Sequence, residues 1–380
     1  IEFALTRARE YAEPVIVHVI TEKGRGYTPA EEDNADRFHA VGRIHPETGL
    51  PIVPSRFGWT SVFAEEILEL ARADERIVAV TAAMQQPVGL QPMADALPDR
   101  VIDVGIAEQH ALTASAGMAF AGLHPVVALY ATFLNRAFDQ VLMDVGLHHA
   151  GVTIVLDRAG LTGTDGASHN GMWDMALLAH VPGLRLAAPR DETTLREDLR
   201  TAAATSDGPT VLRYPKGALP ERAPALRVMG PPNDPFEAVD VLMEADDDGP
   251  GERRLLLVAV GAMTPAVLAA GRDLADEGRA VAVVAPRWVV PIPRALVETA
   301  RSFDGVVVVE DGLVDGGIGS QLRDALEDNT AETGRRCPVV ARVGVPRRFL
   351  GTASRKQLLA DFGMDAEGIA ATARRLLSAV

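Results

Sequence analysis

The sequence predicts an α/β protein: two doubly wound, mainly parallel-sheet domains, preceded by the last helix and strand of a further α/β unit. Three observations lead there. Short β-branched runs alternate with helical periods from Arg56 onward, the pattern of parallel strands joined by crossover helices. The rhythm breaks between Pro215 and Gly251, where prolines concentrate, and then resumes. The length of 380 residues exceeds one ordinary domain and suits two or three.

Taken in order, Ile1, Leu5, Ala8 and Ala12 recur at helical spacing, which predicts an amphipathic helix over 1–13. Pro14 ends it, and Val15–Thr21 reads as a strand. The chain opens on Ile inside a helical period rather than on Met, so upstream sequence is expected. Residues 1–54 then form the remnant of an N-terminal domain and its long connection. In the next domain, 55–218, helices are predicted at Trp59–Ala73, Glu108–Ala121, Phe133–His148 and Thr193–Ala204. Strands are predicted at Ile77–Thr81, Val101–Val104, Val126–Leu129, Val152–Asp157, Leu184–Ala187 and Thr210–Arg213. Residues 219–252, with the acidic run Asp246-Asp247-Asp248, read as a linker. The last domain, 253–380, restarts the alternation at strand Leu255–Val260 and carries it to strand Pro338–Val343.

The net charge of −15 repels nucleic acid and anionic membranes. An anionic substrate would need Arg and Lys concentrated locally against that field. The single cysteine, Cys337, excludes an internal disulfide framework and a cysteine metal cluster. Its place before Pro338 and an apolar run reads as a buried, inert thiol. Low cysteine use fits a reducing cytoplasm, and no apolar run reaches the length of a membrane span.

Ligands of open parallel sheets sit beyond the carboxyl ends of strands. Four segments of the middle domain lie there: Gly105–His110, Tyr130–Arg136, Arg158–His169 and Tyr214–Gly217. Glu108 reads in two ways: a first-turn carboxylate complementing the helix dipole, or a buried acid exchanging a proton with a ring nitrogen. The glycine-rich run 160–169 lacks the Lys of a phosphate loop. It allows close backbone approach to a ligand, while Asp165 and His169 also read as turn residues. Tyr130 and Phe133 read as core or as a cofactor platform. Arg136, Arg158, Arg213 and Lys216 read as surface charges or as phosphate and carboxylate ligands. Gly316-Gly317-Ile318-Gly319-Ser320 lacks dinucleotide-loop spacing and reads as a tight turn into a packed helix.

Several of these runs, in order, carry a resemblance. They are Asp103–His110, Tyr130–Gln140, Asp157–Gly160, Asp165–Gly171, Thr21–Tyr27, Phe38–Val41 and Val309–Gly312. Together they resemble the 1-deoxy-D-xylulose 5-phosphate synthase family, which is transketolase-like. The resemblance implies a pyrimidine-binding domain and a transketolase C-terminal domain, with the latter serving packing and homodimerisation. It implies condensation of pyruvate with glyceraldehyde 3-phosphate, loss of carbon dioxide, and a product feeding isoprenoid, thiamine and pyridoxal synthesis. The implied cofactors are thiamine diphosphate and Mg2+. Glu108 would contact the aminopyrimidine nitrogen and favour the imino tautomer that removes the thiazolium C2 proton, and Phe133 would stack on the pyrimidine. Tyr130, Arg136, Arg158 and Lys216 would line the aldehyde-phosphate side. Asp165, His169 and His39 would lie near the pyruvate-derived group, and His110 matches the motif without a defined role. Lys216 stands where many relatives have Arg, and loses the bidentate fork. No Gly-Asp-Gly, the magnesium and diphosphate motif of such enzymes, occurs in the sequence. The chain by itself is therefore expected to lack metal ligands and synthase activity. Two other readings are a β-type subunit of a 2-oxoacid dehydrogenase or split transketolase, and a non-catalytic dimerising module.

Overall fold

Short apolar, β-branched runs set the strands, and the central ones have both faces covered. They are β1 (Ile77–Thr81), β2 (Val101–Asp103), β3 (His124–Tyr130), β4 (Thr153–Asp157), β5 (Arg185–Ala187) and β6 (Thr210–Arg213). There follow β7 (Arg227–Met229), β8 (Val239–Met243), β9 (Leu255–Ala259), β10 (Val281–Pro286), β11 (Trp288–Val290), β12 (Gly305–Leu313) and β13 (Val339–Val345). The computed structural model describes residues 1–33, 37–38, 41–52, 57–245, 253–333 and 337–379. The chain divides into units 1–56 and 57–380.

The larger unit holds two sheets. The first runs β11-β5-β6-β4-β3-β1-β2 and the second β13-β12-β9-β10-β8-β7. In the first, β5 through β2 pair in parallel and β11 is antiparallel on β5. In the second, β13-β12-β9-β10 are parallel, and β8 and β7 add antiparallel pairs. The expected α/β class with two mainly parallel sheets is therefore observed.

Several segments depart from expectation. Residues 219–252, read as a linker, supply β7 and β8 to the second sheet. Prolines flank these strands rather than interrupt them, and the short Val-rich runs between them were too brief to stand out. The acidic run 246–248 lies outside the described residues. Val15–Thr21 forms no strand, since a strand needs a paired neighbour and the described part of its own unit offers none. The expected helix 133–148 is four short turns: Ala131–Leu134, Asn135–Ala137, Phe138–Gln140 and a π-type turn at Val141–Gly146. Cys337 is half-buried rather than buried, packing its edge on the core. Among the described residues no helix is long and apolar enough to cross a membrane.

One apolar core joins the two sheets, with Val127, Ile154 and Leu186 of the first beside Leu256, Val258 and Val306 of the second. Behind the first sheet Trp59 and Tyr214 stack at 6.2 Å and 7°. A second core, within the last domain, gathers Leu257, Val309 and Val343, and it also takes in Leu161 and Met172 from the other domain.

β12 loses its register between Val309 and Leu313, which frees two adjacent carboxylates. Glu310 accepts N–H bonds from Ile318 (2.7 Å) and Gly319 (3.0 Å) at the start of the helix Ile318–Thr333. Burial pushes its carboxyl up to about 7, against the pull of those two N–H donors. Gly317 is required there, because a Cβ would collide with Glu310 and with the Leu313 carbonyl. The run Gly316–Ser320 is thus a tight turn into a packed helix, as its spacing predicts.

The domains also share a buried polar tie. Arg213 Nε donates to Asp174 Oδ2 at 2.6 Å, and its Nη2 donates to the Asp311 carbonyl at 2.8 Å. Both partners of the ion pair are almost fully buried. Burial raises the Asp174 carboxyl, and Arg213 opposes that shift. Arg213→Ala leaves Asp174 uncompensated and is expected to cost about 3–5 kcal/mol in urea unfolding. The double variant Arg213→Met with Asp174→Leu is expected to recover most of that loss. A double variant as unstable as the single one would show that the carboxylate is not the source of the cost.

Candidate active site

Parallel pairing brings the carboxyl ends of β2, β3, β4 and β6 to one edge. Each of the four segments singled out in the sequence leaves the sheet there. β2 runs through a turn at Gly105 (φ 72) into the helix Glu108–Phe120. Glu108 is its first residue and is buried, 3 % exposed. Ala111, Leu112, Ser115 and Ala116 bury the same helix, so the carboxylate is fixed by packing as well as by the dipole. Glu108 Oε2 lies 3.1 Å from Arg136 Nε. It makes no hydrogen bond in that geometry and is a buried oxygen without a donor. His110 is exposed on the same helix.

β3 ends at Tyr130, where the four short turns begin. The Tyr130 and Phe133 rings stack at 5.8 Å and 11°. Phe133 meets the His169 imidazole edge-on at 5.8 Å. The Arg158 guanidinium lies 3.9 Å over the Tyr130 ring, a cation–π contact. Burial pushes the Tyr130 hydroxyl up to about 12; Arg158 opposes this, while Asp157 and Asp165 add to it. At neutral pH the phenol therefore keeps its proton and can donate it in a hydrogen bond.

Arg158 follows β4 with φ 59, a left-handed conformation unusual for a non-glycine residue. Buried Asp157 holds it through a 3.2 Å ion pair, and Arg158 Nη1 donates to the Pro87 carbonyl at 3.3 Å. Asp157 in turn accepts from the Thr60 hydroxyl at 2.6 Å. Burial raises the Asp157 carboxyl, with Arg158 the main opposing charge. Beyond β6, Lys216 Nζ donates to both oxygens of Asp165, at 3.0 and 2.8 Å.

The geometry thus links Glu108 with Arg136, and Phe133 with Tyr130, His169 and Arg158. Lys216 is bound to Asp165, whose charge reaches Tyr130. Two expectations shift in detail. Arg136 is turned to Glu108, although the resemblance gives the two residues different tasks. Asp165, expected near the pyruvate-derived group, is held by Lys216, expected near phosphate. His39 lies outside the described residues. Arg213 does not reach this edge as a ligand but serves the domain tie. Sequence reasoning passed over Asn170, whose Oδ1 accepts from Thr162 N at 2.9 Å while its Nδ2 donates to the Gly166 carbonyl. Its sign was visible in the run 165–171. Asp157 likewise stood in a quoted run, whereas Thr60 gave no signal from its place in a distant helix.

The residues fit the pyrimidine end of a thiamine cofactor. The Glu108 oxygen that accepts no hydrogen bond matches a ring N–H, and the aromatic cluster at the same sheet edge offers a stacking face. They do not fit magnesium. Among the described residues no group of His, Cys, Asp and Glu is arranged to hold a metal ion.

Comparison with known proteins identifies both domains. Residues 55–222 match the transketolase pyrimidine-binding domain. Residues 245–369 match the transketolase C-terminal domain. The 1-deoxy-D-xylulose-5-phosphate synthase of Clavibacter sepedonicus is 54% identical over 370 residues, 97% of this chain and 54% of that protein. The 1-deoxy-D-xylulose-5-phosphate synthase 2 of Streptomyces coelicolor is 54% identical over 97% of this chain and 55% of its own length. That of Corynebacterium glutamicum is 49% identical over 98% and 57%. The chain thus spans about half the length of the curated relatives it matches. Among solved structures, a split-gene transketolase described as an inactive β4 tetramer has a TM-score of 0.70 at 28% identity, covering 83% of this chain and 97% of that one. The transketolase from Leishmania mexicana has a TM-score of 0.67 at 20% identity, covering 86% and 47%, a likeness of fold. Two transketolase domains together match most of the chain, which therefore belongs among the transketolase-like proteins, and about half its residues are identical to those of 1-deoxy-D-xylulose-5-phosphate synthases over nearly its whole length.

Proposed function

We propose that this chain supplies the pyrimidine-binding side of a thiamine diphosphate site in an enzyme that condenses pyruvate with glyceraldehyde 3-phosphate and releases carbon dioxide. The observation that carries the reading is the buried Glu108 carboxylate, whose Oε2 accepts no hydrogen bond, at the same sheet edge as the Tyr130–Phe133–His169 rings. Thiamine diphosphate, when bound, supplies the thiazolium carbon that removes carbon dioxide from a 2-oxoacid.

The work left to the chain follows from its own atoms. Glu108 would hold the pyrimidine ring nitrogen and share a proton with it. Phe133 would cover the pyrimidine and keep water from that bond. Arg158, held by Asp157 over Tyr130, presents a fixed cation at the strand edge. Lys216 exchanges Asp165 for the substrate phosphate, a point charge on a flexible stem. His169, its Nδ1 at 2.9 Å from the Ser168 hydroxyl, offers its other nitrogen as proton donor or acceptor. Magnesium and the diphosphate belong to a Gly-Asp-Gly motif that the sequence does not contain. We also propose a cytoplasmic homodimer.

A second reading has one observation in its favour. The split-gene transketolase matches over 97% of its own length, which favours this chain as a β-type subunit of a split transketolase. A ketose phosphate that replaces pyruvate as donor would decide for it.

The test is reconstitution with a separately expressed domain that carries Gly-Asp-Gly, scored by carbon dioxide release that depends on both substrates. Turnover is expected on mixing and absent from either part alone. Glu108→Ala is expected to lower kcat by about 10²- to 10⁴-fold; a variant within roughly threefold of the parent would remove Glu108 from the chemistry.

The Lys216 substitutions separate phosphate binding from chemistry. Lys216→Ala is expected to raise KM for the aldehyde phosphate about tenfold while kcat changes less. Lys216→Arg should hold or lower that KM, because the planar fork adds a second bond. Equal losses in both variants would mean that Lys216 does not meet the phosphate.

A further inference from the structure

The glycine-rich run 160–169 invites a ligand on sequence grounds, yet its glycines face protein. Gly160, Gly163 and Gly166 have φ of 74, 84 and 84. A Cβ at Gly160 would fall within the Asp311 carboxylate. At Gly163 it would lie 2.8 Å from Arg355 N, and at Gly166 it would lie 3.3 Å from Thr352 Oγ1. The three glycines of the loop thus lie against the second domain.

The loop's two ends are anchored in that domain as well. Leu161 (0 %) and Met172 (1 %) are buried in the second domain's own core. Asp311 Oδ1 accepts from Leu161 N at 3.0 Å, and Arg355 Nη1 donates to the Leu161 carbonyl at 2.5 Å. Arg355 Nη2 closes the triangle on Asp311 Oδ2 at 2.5 Å. At the other end, Leu313 N donates to the Met172 carbonyl at 3.1 Å. Between these anchors stand Asp165 and His169.

We propose that Asp311 and Arg355 are positioning residues: the second domain sets the geometry of the loop, and through it the places of Asp165 and His169. The role given to those two side chains rests on the proposed reaction; the latch itself does not. Leu161 is gripped through its backbone N–H and carbonyl, so the loop cannot rotate at that point without breaking both bonds. The Asp311 side chain is 1 % exposed, so the grip is sheltered from competing water.

The experiment compares Arg355→Ala, Arg355→Lys and Asp311→Ala in the intact chain, with Arg374→Ala as a control. Arg374 pairs with Glu277 on the surface of the same domain, away from the loop. Two signals are read: deuterium exchange in peptides covering 160–171, and the His169 imidazole resonance, assigned by His169→Gln. Arg355→Ala and Asp311→Ala are expected to raise loop exchange at least about tenfold, with less change in the helix Ile318–Thr333. They are also expected to shift and broaden the imidazole signal. Arg355→Lys should restore part of both, since it keeps the charge on Asp311, and Arg374→Ala should alter neither. Unchanged loop exchange would overturn the proposal. So would exchange rising equally across the second domain, or a Lys variant indistinguishable from Ala. Should Asp311→Ala fail to fold, the Arg355 pair decides alone. Neither signal needs cofactor or turnover, so failure of the latch and failure of the proposed reaction are read separately.

Discussion

Parallel pairing of β5-β6-β4-β3-β1-β2 is the constraint on which the site depends. A parallel sheet sends each strand's carboxyl end to the same edge, so residues distant in sequence meet there without any loop having to search for them. Glu108, Tyr130, Arg158 and Lys216 come from four strand ends. The inner strands β1, β3, β4 and β6 are buried on both faces, and shifting one of them would drag its whole apolar set out of register. The edge therefore inherits the rigidity of the core. A loop-built site would have to obtain that rigidity from its own few contacts.

The disturbance in β12 matters for the opposite reason. Where the ladder is regular, neighbouring side chains point to opposite faces and stay within one domain. Where register slips after Val309, two consecutive acids take different partners. Glu310 serves its own helix, and Asp311 reaches the neighbouring domain. One local irregularity thus gives the second domain both an internal clasp and an external one.

The parallel core was legible because it writes itself locally. Ile77–Thr81, Trp59–Ala73 and Thr210–Arg213 stand where their periods place them, with no residue misassigned. The segment after Tyr130 was not legible. Its apolar spacing suits one helix, but Arg136 and Phe138 have to point into different surroundings, and the backbone breaks into short turns. β8 and β11 were missed because their pairing is supplied by strands far along the chain, and β7 because three residues are too few to show a period. In the site, residue types at strand ends could be named from sequence. Which cation meets which acid could not, since Arg136–Glu108 and Lys216–Asp165 are choices made in three dimensions. The glycines 160, 163 and 166 show the same limit: the sequence announced close approach, and only the structure names what approaches.

The Glu310 clasp bears on what the second domain can become. A turn of glycines feeding a helix is where α/β proteins commonly receive phosphate, because the free N–H groups gather anions. Here the protein's own carboxylate already occupies those donors from beneath. Any incoming anion would find those two N–H groups already engaged. The turn keeps the outline of an anion cradle but is filled from within, so this helix start braces its own domain.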